Sequence, residues 1–260
     1  MSTRQWASSP RLVLLLSAAL ALLAAAPCAL PARADEITNG LLLRLPFDGD
    51  AQDISGNGHH GAVNGAVLTA DRFGTADSAY WFDGTNDYIV VTNDGTLCPT
   101  SFSYAAWVRI DAIPSRDTAV LGLWDAYEGY GYACGGSFGS HIVACVKAGP
   151  SGTDWKFCTN AYVLGQWNHY VLTLESNGTQ RLYVNGQPAG AVHTGVVMNL
   201  SPANMMIGRH FSNTGVGWAV RCAIDDVRLY NRALSTSEIA SIYNPCLLYT
   251  SDAADDLLCV

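Results

Sequence analysis

The sequence predicts an all-β protein, a two-sheet antiparallel jelly-roll sandwich with one short C-terminal helix. Three observations carry this. Short runs alternating apolar and polar residues recur along the chain. Gly, Asn, Asp and Pro punctuate them, and no long amphipathic helical period appears.

The clearest strand is Ser101 to Ile110, where Phe102, Tyr104, Ala106, Val108 and Ile110 fall on one face. Trp167 to Glu175 and Thr179 to Val184 follow, rich in β-branched and aromatic residues. Asn185-Gly186 then predicts a two-residue hairpin turn, because both residues tolerate positive φ. Met205 to Ile207 and Cys222 to Tyr230 complete the strands. Ser235-Thr-Ser-Glu238 is a capping box that opens a short helix, with Ile239, Ile242 and Tyr243 on one face.

Both ends are set apart. Arg4 and Arg11 precede an apolar run, Leu12 to Ala26, and Ala32-Arg33-Ala34 is a small-x-small cleavage pattern. Residues 1–34 are therefore expected to be a secretory signal peptide, which makes the protein secreted or extracytoplasmic. No later segment is expected to enter a membrane. At the other end, Cys246 to Asp256 resembles the translated read-through of a sequencing-library adapter, so residues 245–260 are expected not to be native. The sandwich domain is expected over 35–244, a length suited to one all-β domain.

The formal net charge is -8, and Lys147 and Lys156 are the only lysines. No basic footprint exists for nucleic acid. Of eight cysteines, Cys98, Cys134, Cys145, Cys158 and Cys222 lie within 35–244. In an exported chain they predict one or two disulfides, with a local bridge among Cys134, Cys145 and Cys158 as one arrangement.

Particular segments resemble a known family. Leu45-Pro-Phe-Asp48, then Asp53-Ile-Ser-Gly-Asn-Gly58 and Gly61, are similar to the opening of laminin-G-like jelly-roll domains of the concanavalin-A-like superfamily, and Ala79-Tyr-Trp-Phe-Asp-Gly84 with Asp87 to Val91 to their second signature. Gly165 to Tyr170, Arg181 to Gly186 and Ala223 to Leu234 continue that pattern in order. The resemblance implies two antiparallel sheets, one concave, with ligands held by loops or by that concave face. It does not name the ligand, since fold is not function.

Two site readings follow. Asp48, Asp53, Ser55 and Asn57 sit in a Gly-rich loop whose oxygens suit calcium, and the resemblance sets Asp225 beside it. Strand alternation puts Asp225 on an apolar face with Ala223, Val227 and Leu229, where a metal would relieve an unpaired carboxylate. The competing reading has Asp225 accepting N–H bonds while Asp53 and Asn57 shape turns. The second site is aromatic: Trp124, Tyr127, Tyr130, Trp155, His210 and Trp218, near Asp, Asn and Glu, suit sugar recognition. Trp107 and Trp167 are expected in the core.

Catalysis is not expected. Of four glutamates, Glu36, Glu175 and Glu238 read as terminus, strand end and helix cap, and Glu128 with Asp125 matches no glycosidase pattern. His59, His60 and His169 lack a nucleophile motif and read as structural. The expectation is a secreted non-catalytic domain that binds an extracellular glycan, with structural calcium. The alternatives are a protein-binding adhesion module, or an accessory domain of a carbohydrate-active enzyme.

Overall fold

The computed structural model describes residues 37–112, 120–124, 131–138, 141–148, 154–198, 203–209 and 219–244. These form two antiparallel sheets. The first has eight strands: β1 (Leu41–Leu45), β3 (Val67–Thr69), β4 (Ala79–Asp83), β6 (Phe102–Ile110), β11 (Trp167–Leu174), β12 (Gln180–Val184), β13 (Gln187–His193) and β15 (Arg221–Tyr230). Their order is β13-β12-β11-β6-β15-β4-β3, with β1 pairing the C-terminal half of β15. The second, of seven, runs β10 (Asp154–Ala161), β9 (His141–Ala148), β8 (Gly131–Phe138), β7 (Leu121–Trp124), β14 (Met205–Ile207), β5 (Tyr88–Val91) and β2 (Gly61–Asn64).

The alternation read along β6 is the core pattern. Phe102, Tyr104, Ala106, Val108 and Ile110 are buried between the sheets with Leu172, Leu182, Ile207, Leu123 and Leu229. The expected hairpin joins β12 to β13, with Asn185 at φ 50° and Gly186 at φ 76°.

Helix α1 (Thr236–Tyr243) has the expected capping box: the Glu238 N–H donates to Ser235 Oγ, and the Ser235 N–H donates to Glu238 Oε2 at 2.7 Å. Arg232 holds the Glu238 carboxylate, and mainly this hydrogen bond lowers its pKa to about 2. The helix buries Ile239 and Ile242 against Ala105, Val171, Tyr183 and Tyr230. It therefore lies on the face of the first sheet away from the sandwich core. That face is half covered and half open.

Candidate functional site

The opening loop is built around Asp53. Its Oδ1 accepts the N–H groups of Arg44 and Ser55, each at 2.9 Å, and its Oδ2 accepts Ser55 Oγ at 2.8 Å and the His59 N–H at 2.9 Å. Burial pushes its pKa up, but these four donors outweigh burial and hold it below the ordinary value. Asn57 turns its amide nitrogen inward, donating to the carbonyls of Leu41 and Leu42 at 3.1 and 3.0 Å. Asp48 is exposed. Both Asp53 oxygens thus face donors, and Asn57 presents N–H where a cation needs oxygen. Asp225 accepts from Arg72 instead. These four residues do not fit a calcium ion, and among the described residues no three His, Cys, Asp or Glu cluster to hold a metal.

Asp225 departs from its expected face. Between Asp225 and Arg228 the register on β6 slips: Asp225 pairs with Trp107, and Arg228 pairs with Ala105. Three steps on one strand against two on the other make a β-bulge. Asp226 supplies the extra residue at φ 47°, a left-handed conformation that Asp tolerates better than most. The bulge leaves Val227 and Leu229 in the core and moves Asp225, Asp226 and Arg228 together to the outer face. Alternation without a bulge had grouped Asp225 with Val227 and Leu229.

On that outer face Arg72, from the loop joining β3 to β4, donates to Asp225 at 2.5 Å and lies 4.6 Å over the Trp107 ring. Burial pushes the Asp225 carboxyl up to about 7, against the pull of Arg72. Arg228 and Arg44 flank Asp226, and these charges hold its carboxyl well below the usual range despite burial. Trp107 stacks on Tyr243 at 5.5 Å and leans on His169 at 5.1 Å. Trp107 is therefore buried under the helix rather than between the sheets. Burial, then Arg228, lowers the His169 pKa to about 3, so its ring is neutral near neutrality. Arg72 Nε, Trp107 Nε1 and His169 Nδ1 are buried here without a hydrogen-bond partner.

The aromatic candidates divide. Tyr127, Tyr130, His210 and Trp218 lie outside the described residues, whereas Trp124 and Trp155 lie on strands of the second sheet. Trp124 pairs with Gly131, and Trp155 with Lys147. The Tyr132–Val146 pair of β8 and β9 aligns them, so positions 124, 131, 147 and 155 form one transverse row. That row alternates with one containing Leu123, a core residue. Its ends stand three strand spacings apart, roughly 14 Å.

The same register bears on the cysteines. Cys134 and Cys158 both pair with Ala144, two strand spacings apart at roughly 9.5 Å, beyond disulfide reach. Cys145 is one step along from Ala144, at a position of opposite face. No two of the three are placed for the local bridge expected from their spacing. Cys222 is a fully buried free thiol, and burial pushes its pKa up.

The Laminin_G_3 family model, described as the concanavalin A-like lectin/glucanases superfamily, matches residues 83–240, more than half of the chain. No curated protein matches the chain. Among solved structures, domain 4 of AbnA, a GH43 extracellular arabinanase from Geobacillus stearothermophilus in complex with arabinotriose, is similar at TM-score 0.62 and 20% identity, covering 78% of this chain and 98% of that one. The binding domain of botulinum neurotoxin DC in complex with rat synaptotagmin II is similar at TM-score 0.62 and 15% identity, covering 81% of this chain and 52% of that one. The receptor binding domain of the C/D mosaic serotype gives 0.65 and 14%, covering 82% and 52%. The chain thus spans about half the length of the neurotoxin domains. At these identities the likeness is one of fold.

Proposed function

Because the chain belongs to the concanavalin A-like lectin/glucanases superfamily, as a match to its Laminin_G_3 family, we propose that it is a non-catalytic carbohydrate-binding module that works outside the cytoplasm. The observation that carries this reading is the row of positions 124, 131, 147 and 155. Two tryptophan positions, 31 residues apart in the chain, share one row across four adjacent strands. Gly131 between them adds no side chain to obstruct a ligand lying along the row.

The separation of the two tryptophan positions suits a run of several sugar units rather than one monosaccharide. Indole faces pack against the C–H faces of sugars while the rim supplies hydrogen bonds. Domain 4 of the arabinanase, of matching length, was solved with arabinotriose, which makes short neutral arabino-oligosaccharides the first ligands to try. That neighbour also supports the role of an accessory module beside a carbohydrate-active enzyme. The neurotoxin domain solved with synaptotagmin supports a protein ligand as the second reading. A chain of formal net charge -8 is unsuited to nucleic acid.

Calorimetric titration of arabinotriose and longer arabinan fragments into the protein tests the reading. Saturable binding that a Trp124→Ala or Trp155→Ala variant weakens is the expected result. A folded protein that takes no neutral glycan, or binds one equally well in both variants, overturns it.

A further inference from the structure

We infer that the open half of the first sheet's outer face is a second ligand site, for an acidic glycan. The inference is independent of the proposed neutral-glycan row, which lies on the other sheet.

Five strands contribute to it. Val67 pairs with Trp81, Trp81 with Ala223, Ala223 with Arg109, and Arg109 with Trp167, giving one transverse row across β3, β4, β15, β6 and β11. Trp81 and Trp167 are both partly exposed and stand three strand spacings apart, roughly 14 Å. Neither indole is a core residue, although the Trp167 position had suggested one.

The polar groups between the indoles are held in place. Asp111 accepts Trp81 Nε1 at 3.2 Å and both Nε and Nη2 of Arg109, at 2.8 and 3.2 Å. One carboxylate thus orients an indole and a guanidinium together. Arg109 lies 5.3 Å over the Trp167 ring, and Arg221 lies 5.6 Å over the Trp81 ring. A ligand would meet a surface whose side chains are already oriented, which lowers the ordering cost of binding.

Charge then selects the ligand. Arg44, Arg72, Arg109, Arg181, Arg228 and Arg232 each pair with a carboxylate. Arg221 is exposed and takes no part in the ion pairs among the described residues. Its cross-strand neighbour Asp83 instead accepts the N–H groups of Thr85 and Asn86. The site therefore offers two indoles for the C–H faces of sugar rings and one exposed guanidinium that is not engaged in an ion pair. A sugar carboxylate or sulfate supplies the missing charge and matches the fork of the guanidinium. In a chain this acidic, attraction for a polyanion must come from a local cation of this kind.

The probes are an oligogalacturonate and its fully methyl-esterified counterpart, titrated into the whole chain at low and moderate salt. The acid form is expected to bind, with affinity falling as salt rises, and the ester to bind at least about tenfold more weakly, the value of one charged hydrogen bond. Arg221→Gln, at an exposed position where folding is not at stake, is expected to reduce acid binding by a similar factor and leave neutral arabinan binding unchanged. Trp81→Phe is expected to weaken the acid form, and Trp124→Ala to leave it alone. No binding of the acid form, or equal binding by wild type and Arg221→Gln, overturns the inference. Loss through Trp124→Ala but not Arg221→Gln does so too, by assigning the acid to the other sheet.

Discussion

Arg72 and Asp225, 153 residues apart in sequence, meet at 2.5 Å above the Trp107 ring. This contact ties the loop joining β3 and β4 to the bulge on β15. Arg72 also lies beneath Phe73, which is 74% exposed. At its exposed tip the loop is held by this charged side chain rather than by apolar burial, while the Gly49 N–H holds its far end at the Asp77 carbonyl.

At pH 8, where the Asp225 carboxyl is ionised, replacing Arg72 by Met leaves it buried without its cation. A loss of about 3 kcal/mol is expected, the cost of breaking such a pair from one side. Denaturant unfolding measures it, and faster amide exchange at residues 71–77 is expected alongside. A loss too small to measure would mean that the ion pair does not hold the loop.

Two buried groups on this face oppose each other in pH. The Asp225 carboxyl sits at about 7 when folded, against an ordinary 3.8, so the folded state holds its proton more tightly and stability falls as pH rises between those values. His169 sits at about 3, against 6.5, so its contribution is present above 6.5 and lost as pH falls toward 3. Across about pH 4 to 6.5 the slopes are opposite. The wild type is expected to show a shallow dependence of unfolding free energy there. Asp225→Asn should lose stability steeply on acidification, and His169→Phe should gain it. Parallel profiles for all three proteins would rule the opposition out.

Asp53 is a structural acceptor. Asp53→Ala strands the Arg44 and His59 N–H groups in a buried site and is expected to cost about 3 kcal/mol. Chelator, in contrast, should leave the wild-type Tm unchanged. A fall of several degrees with chelator, restored by calcium, would show that the loop holds a metal.

Peptide mapping under non-reducing conditions is expected to find no bridge joining Cys134, Cys145 and Cys158 to one another. In the folded protein Cys222 should resist thiol reagents and react only on unfolding, because it is fully buried. A Cys134–Cys158 bridge would require a different register for β8, β9 and β10.

Much of the fold was legible because local rules act alone there. The alternation of β6, the Asn185-Gly186 turn and the Ser235–Glu238 box each depend on a few adjacent residues. Asp225 was placed on the wrong face because one inserted residue reverses strand parity. The available signal was the pair Asp225-Asp226 itself, since two adjacent aspartates fit a pleated strand poorly and tolerate left-handed φ. Trp107 is buried as expected, under the helix, whereas Trp167 read as core because large apolar residues usually are. Whether an indole faces the core, the helix or solvent depends on pairings with Asp225, His169 and Arg109 that arise only when distant strands meet. The opening loop left two readings open for a related reason. Its residue types suit calcium, but the N–H groups of Arg44 and His59 converge on Asp53 only through the fold.

The most direct test of carbohydrate binding is calorimetry with arabinan oligosaccharides on wild type, Trp124→Ala and Trp155→Ala, with circular dichroism confirming that all three are folded. Binding by the wild type that weakens in both variants, and tightens with oligosaccharide length until the ligand spans roughly 14 Å, is the predicted result. Folded wild-type protein that binds no member of the series, or variants that bind as tightly as it does, would contradict the account.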